Sequence, residues 1–309
     1  MREDAAFCRL LAELETWADT SPDGQRESLR WAVSLYHEAV RARVRLGERI
    51  RDVLQRGVAT EEVLAAVGDI DVALLAARTG REALPVPVLG TLFADASADE
   101  ARAAALLEAA VRRHAAWPWL SGVSGIGPVL AGRLLSRLDV HRAPTPASFW
   151  AYCGLATVPG MEYRCRDCGQ RIAGIPGLRD APLHRRPDGT MCPAASVDRM
   201  FGSSVRVAQP RPRRGESRGY DAHARHACYL IGVSFVRKGI AYKEMYAEQH
   251  ARISARHGEW PLKRIQLAAQ RATVKRFLAD LWLEWRRLEA LPSVPSYAQK
   301  LHTLDDAVA

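Results

Sequence analysis

A chain of 309 residues that is 48% hydrophobic, 26% charged and 7% aromatic has the balance of a folded globular protein, which excludes intrinsic disorder and collagen-like repeats. No stretch reaches the roughly 18 to 20 uninterrupted apolar residues of a bilayer-spanning helix, and Met1-Arg2-Glu3-Asp4 is acidic where a secretory leader is basic, so the expectation is a cytoplasmic protein with no membrane partner. Six cysteines are too few for a disulfide scaffold, and the grouping of Cys165, Cys168 and Cys192 points to metal instead.

The net charge of +9 is unevenly spread. Residues 1–116 hold 15 Lys+Arg against 19 Asp+Glu, whereas residues 117–309 hold 29 against 16. Concentrating positive charge in one part of a chain suits a polyanionic partner, because each phosphate neutralised by Arg or Lys releases condensed counterions.

The first region, 1–116, reads as a helical arm. Leu29, Val33, Tyr36, Val40, Val44, Gly47, Ile50 and Leu54 recur at steps of three and four, which keeps one apolar stripe on a helix of roughly 30 residues. Gly57 stops it, and Thr60 with Glu61 and Glu62 starts a shorter helix. Val67-Gly68-Asp69-Ile70-Asp71-Val72 has the look of a nuclease strand carrying a metal-binding aspartate. Too little chain follows it to complete such a fold, so that reading is rejected. Pro85, Pro87 and Gly90 break the chain, and Ser97-Ala98-Asp99-Glu100 opens an alanine-rich helix with Leu106, Leu107 and Ala110 on one side. Two long helices joined by a short connection predict an antiparallel hairpin, which either packs within the monomer or, over 24–116, forms a homodimer contact.

Residues 117–158 read as a helix-hairpin-helix. A helix ends near Gly122, Gly125-Ile126-Gly127 makes a turn, Pro128 sits where a first helical residue belongs, and Ala131 with Leu134-Leu135 continues apolar. Glycines suit a turn that must present bare backbone N–H groups at a helix start to a phosphate. A capped short helix, Thr145 to Leu155, follows.

Residues 159–218 read as a small zinc ribbon followed by a basic loop. Cys165-Arg166-Asp167-Cys168-Gly169 is a C-x2-C knuckle, and His184 and Cys192 complete a Cys3His set suited to structural zinc. His223, His226 and Cys228 downstream leave the fourth ligand open. Three thiolates make a closed site without a general base, which disfavours catalytic zinc. Arg206, Arg211, Arg213, Arg214 and Arg218, interrupted by Pro210, Pro212 and Gly215, predict an irregular basic loop. Residues 219–290 then form three helices, over 222–238, 241–257 and 261–289, and 291–309 is a tail. The predicted class is therefore mainly α: a helical arm and a helix-hairpin-helix domain interrupted by a small zinc ribbon.

Gly125-Ile126-Gly127-Pro128, the later Ser148-Phe149-Trp150-Ala151-Tyr152-Cys153-Gly154-Leu155, the helix at Arg225-His226-Ala227-Cys228-Tyr229-Leu230 and the closing Ala272-Thr273-Val274-Lys275-Arg276-Phe277-Leu278 together resemble one known domain. It is the C-terminal domain of the insertion-sequence transposases of the IS-one-ten and IS-one-sixteen family. The likeness spans about 117–158 and 217–288. In that family, the resemblance implies, a RuvC-like domain supplies a carboxylate metal site, a helical linker forms a coiled coil, and the C-terminal domain supplies a nucleophilic serine for recombination guided by a structured RNA. The present sequence departs from it twice. Its first 116 residues carry no RuvC-like pattern, and an insertion replaces the serine-bearing loop, leaving Ser203 and Ser204 as the local match to the nucleophile.

The expectation is thus a DNA-binding protein more than an enzyme. Phosphate contacts are expected from Gly125, Ile126, Gly127 and Arg133 at the hairpin, from Arg206, Arg211, Arg213, Arg214 and Arg218 in the loop, and from Arg225, Lys275 and Arg276 on the last helices. Two alternatives stand beside it: a recombinase subunit using Ser203 or Ser204 with a separate nuclease domain or guide RNA, and a dimerising adaptor without enzymatic activity. Structured RNA remains open as a partner, because phosphate contacts alone do not distinguish the two polymers.

Overall fold

The computed structural model describes residue 16 and residues 22–56, 86–174, 184–186, 188–192, 196–208, 219–258 and 260–293. The fold is mainly α, with eight helices and a small three-stranded sheet among the described residues. The chain divides into two compact units, Met1–His114 and Ala115–Ala309. The expected elements around Thr60 and Val67–Val72 and the tail from residue 294 lie outside the described residues.

In the first unit, α1 (Pro22–Arg56) packs against α2 (Val86–Arg112). Gln25 Nε2 donates to the Arg113 carbonyl at 3.4 Å, Arg43 pairs with Glu100, and Gly47 lies against the Phe93 ring, so the two helices run antiparallel. Their seam buries Leu29, Ala32 and Ile50 of α1 and Ala103, Leu106, Leu107 and Val111 of α2; of the predicted stripe Leu29, Ile50, Leu106 and Leu107 are buried, whereas Val44 is 41% exposed. One expectation is corrected. The break placed at Pro87 and Gly90 is instead the first turn of α2, because a proline there forfeits only an N–H that has no partner in a helix start anyway. Ser97 consequently does not cap a helix; its hydroxyl donates to the Phe93 carbonyl one turn earlier at 2.8 Å.

His114 ends this unit with its ring buried, and burial lowers its pKa to about 4. A histidine whose folded pKa lies below its unfolded value near 6.5 favours folding only while neutral. The stability it contributes is complete above pH 6.5 and is lost as the pH falls toward 4, about 3 kcal/mol over the full window. Urea unfolding at pH 7.5 and pH 5 is expected to show about 2 kcal/mol of that loss in the native chain and a flatter dependence in His114→Gln.

The second unit begins with α3 (Trp117–Ser121), α4 (Pro128–Leu135) and α5 (Pro146–Tyr152) and closes with α6 (Ala222–Lys238), α7 (Ala241–Arg256) and α8 (Leu262–Leu288). The last three match the expected ranges to within a residue. α8 runs through the core, burying Ile265, Val274, Phe277, Leu281, Trp282 and Trp285. Polar tips are satisfied as burial demands: Trp282 Nε1 donates to the Ala143 carbonyl at 2.8 Å, and Arg286 Nη1 reaches the Val140 and Ala143 carbonyls at 3.1 and 3.3 Å. These bonds fix the 140–143 loop against the last helix.

Between α5 and α6 the chain makes strands: β1 (Thr157–Cys165), β2 (Arg171–Gly174), β3 (His184–Arg185), β4 (Met191–Cys192) and β5 (Val197–Ala208). β1 is central in an antiparallel sheet of order β2-β1-β5, and β3 and β4 form a separate hairpin. The β1–β5 register shifts between Met161 and Tyr163, so a bulge bends the sheet before the metal knuckle. β5 overturns part of the loop expectation. Arg206 is paired backbone opposite Pro159, because Val205, Arg206 and Val207 continue an alternating strand before the prolines begin at 210. Arg211, Arg213, Arg214 and Arg218 lie outside the described residues.

Candidate functional site

The strands converge on four side chains. Cys165 ends β1, Cys168 sits in the tight turn that follows, His184 opens β3 and Cys192 ends β4. Gly169 directly after the second cysteine has φ +72°, a conformation that closes this turn and that glycine adopts without strain. The Gly169 amide donates to the Cys165 carbonyl at 2.9 Å, and the Cys165 amide donates to the Gln170 carbonyl at 2.9 Å. Pairing of His184 with Cys192 across β3–β4 brings the other two donors together.

All four ligand atoms lie within 4.8 Å of one another, with Cys165 Sγ 3.9 Å from Cys192 Sγ and Cys168 Sγ 3.1 Å from His184 Nε2. Tetrahedral zinc with Zn–S bonds of about 2.3 Å requires sulfurs about 3.8 Å apart, so the arrangement is compatible with a structural zinc. Electrostatics point the same way. Burial works against the Cys165 thiolate, but amide hydrogen bonds at Cys168 and Asp167 and the neighbouring thiols outweigh it and bring the group down to about 7. Burial raises the Cys192 thiol, against the pull of the Arg186 guanidinium beside it, and the two other thiols add to the rise. Three sulfurs this close cannot all ionise without a cation between them, and a divalent metal removes that conflict.

His184, and not His223, His226 or Cys228, stands in the group of four that could hold a metal ion. Cys228 lies elsewhere, buried on α6 beside Cys153; their mutual hydrogen bond, then burial, pushes the Cys153 thiol well up and leaves it an inert packing group.

The turn at 122–128 joins α3 to α4. Gly125 has φ +94°, and the Ile126 amide donates to the Val123 carbonyl at 3.0 Å. The turn is anchored from the end of α6: Ser234 Oγ donates to the Gly125 carbonyl at 2.6 Å and Ser124 Oγ to the Lys238 carbonyl at 2.7 Å. Ile126 is buried, while Gly127 is exposed with nothing within 4 Å of where a Cβ would stand. Gly127 occupies the N-cap position of α4 without a side-chain cap, and Pro128 has no N–H, so the Val129 and Leu130 amides form the bare helix start. Alanine at the two glycines should behave differently. Gly125→Ala forces a left-handed residue and places a methyl 3.2 Å from Ser234 Oγ, an expected loss of about 1–2 kcal/mol. Gly127→Ala, at φ −102° in open space, should stay within about 0.5 kcal/mol. Thermal unfolding of the two variants makes the comparison.

The remaining expected residues are distributed over the unit. Arg133 lies half-buried on α4. Lys275 sits over the Trp150 ring at 4.3 Å and Arg276 pairs with Asp280 at 2.9 Å, so both cations are engaged within the helical body. Ser203 and Ser204 are on β5, Ser204 opposite Met161, a paired strand in place of the serine-bearing loop of the resemblance. Arg225 lies against the Tyr220 ring at 4.6 Å. Sequence reasoning did not bring Lys263 and Arg271 together with Arg225, with which they line one cleft. The signal was present as the four-residue spacing of Lys263, Leu267 and Arg271 on one face of α8, but only the fold brings that face to Arg225.

Residues 118–160 match the family described as Transposase IS116/IS110/IS902 family, which relates this segment to insertion-sequence transposases. The match covers α3, the glycine turn, α4, α5 and the first residues of β1. No curated protein and no solved structure matches the chain. Among the described residues, no helix is long and apolar enough to cross a membrane.

Proposed function

We propose that the protein is a nucleic-acid-binding relative of insertion-sequence transposases, gripping duplex or branched DNA through the 125–128 turn, a zinc ribbon and the arginines of 206–218. The observation that carries this reading is the family match over 118–160, which falls on the segment whose exposed Gly127 opens a helix start. Amides at a helix start carry partial positive charge, and a phosphate oxygen can approach them only where no side chain intervenes. Contacts of that type fix the register of a duplex and read little sequence. The zinc ribbon would act as a rigid mount for β5: its knuckle lies at the start of that strand, where Cys165 pairs with Val197, and the arginine-rich segment follows the strand's other end, where Ala208 pairs with Thr157. The charge of 117–309 supports the same assignment.

Fluorescence anisotropy of the zinc-loaded protein against linear duplex, branched DNA and structured RNA of equal length, titrated with salt, tests the reading. Tight binding with a steep salt slope is expected, and the preferred polymer names the substrate class. Absence of binding to all three at low salt overturns it and favours the adaptor in which 24–116 dimerises. Strand cleavage lost in Ser203→Ala or Ser204→Ala would instead convert the binding protein into a recombinase subunit.

A further inference from the structure

One cleft of the second unit gathers cationic side chains. It lies between α6 and α8, encloses about 700 Å³, and is lined on its polar side by Arg225, His226, Lys263, Gln270 and Arg271. That volume is in the range of sites for ligands the size of a single nucleotide. Among the described residues, no carboxylate lines it. Asp221, the acidic residue at the start of α6, is committed elsewhere: it caps the Ala224 amide at 2.7 Å, accepts from Tyr152 Oη at 3.3 Å and faces Arg137 at 3.9 Å.

Arg225 is held in a defined pose. Its guanidinium lies over the Tyr220 ring, and that ring occupies the space next to Gly154, where a Cβ would come within 2.8 Å of it. Its Nη1 is nonetheless buried without a hydrogen-bond partner. Leaving a buried charged donor unmet is costly, so natural structures supply it with an anion or a water. Arg271 aggravates the problem, since burial and then the charge of Arg225 both lower its pKa. Two guanidiniums brought together away from any carboxylate are unfavourable by themselves and favourable around a bound oxyanion, and the planar fork of arginine matches phosphate oxygens in pairs. Apolar side chains share the lining and are partly uncovered: Leu155 and Val274 belong to it, while Tyr229 and Leu267 remain 48% and 40% exposed. An exposed tyrosine beside a cationic pocket is a stacking platform for a base.

We propose that this cleft binds one nucleotide unit, its phosphate taken by Arg225, Arg271 and Lys263 and its base laid against Tyr229. The unit can belong to an unpaired strand or be a free nucleotide. The cleft assignment stands on its own geometry, and rests on the nucleic-acid reading only where a strand is the source.

Isothermal titration of the full-length zinc-loaded protein with inorganic phosphate, a nucleoside monophosphate and a five-nucleotide single strand tests it, alongside Lys263→Gln, Arg271→Gln and Tyr229→Ala. Lys263 and Tyr229 are exposed, so their variants keep the fold even where Arg271→Gln does not. The native protein should bind the monophosphate at least tenfold more tightly than inorganic phosphate. Lys263→Gln should weaken monophosphate and phosphate alike by about tenfold, and Tyr229→Ala only the monophosphate. Binding of the short strand but not of the monophosphate, weakened by the same two variants, supports the cleft and assigns it to strands. Equal affinity for phosphate and monophosphate overturns the nucleotide assignment, as does binding that neither variant alters, or no binding of any of the three at millimolar concentration. Duplex binding lost with cleft binding retained would sink the reading of the whole protein and leave this site standing.

Discussion

Removing the metal from the zinc-loaded protein is expected to unfold the strands of 157–208 while the helices of the same unit persist. The reason lies in how little else holds the strands. Their buried cluster is Cys165, Ile172 and Cys192, with Cys168 and Val197 packed against it, and three of those five are the proposed ligands themselves. Ordering a residue costs about 1–2 kcal/mol of backbone entropy, and one isoleucine with a valine returns only a few kcal/mol. A structural zinc supplies on the order of 10 kcal/mol, more than the few apolar side chains of this cluster return. Cys192→Ala should therefore bind no zinc, lose the strand contribution to circular dichroism and become sensitive to protease between residues 165 and 200, with the helical signal near 222 nm largely kept. Asp198→Ala is the contrasting change: it removes the exposed pair with Arg166, 57–61% accessible, and should cost no more than about 1 kcal/mol. Metal analysis showing an empty site together with an unchanged protease pattern would overturn the structural role. Since the thiols must ionise to bind, zinc affinity should also fall as the pH drops below neutrality.

The sequence carried the helices and the metal donors well because both are local or nearly local patterns. The stripe from Leu29 to Ile50, the three closing helices and the C-x2-C knuckle each declare themselves within one element. Pro87 misled because proline has two opposite meanings, a breaker inside a helix and a favoured residue in its first turn, and only the structure of its neighbours decides between them. β5 was missed for a different reason. Arg206 and the later arginines read as charge, whereas a strand at Val197–Ala208 is specified by pairing with β1, some 40 residues earlier in the chain. The α6–α8 cleft was missed for the same reason. Arg225 and Arg271 are 46 positions apart, and no property of either residue alone reveals that the fold sets them side by side.

Neutralising the arginines that follow β5 should have the largest effect on nucleic-acid affinity of any substitution in the chain. In Arg211→Ala/Arg213→Ala/Arg214→Ala, three cations are removed from a segment of 206–218 whose prolines prevent it from burying their charge in a regular helix. If each arginine neutralises one phosphate of a duplex, the slope of log affinity against log salt should fall by about 2.7, and affinity near 0.1 M salt by about 10²–10³-fold. A single strand releases fewer counterions per contact, so the same variant would lower the slope by about 2. The size of the change therefore bears on the form of the polymer as well as on the role of the loop. The fold is expected to be indifferent, and an unchanged melting temperature separates lost contacts from lost structure. Affinity and salt slope equal to those of the native chain would make these arginines a solvated linker, and the grip on phosphate would then fall to the 125–128 turn alone.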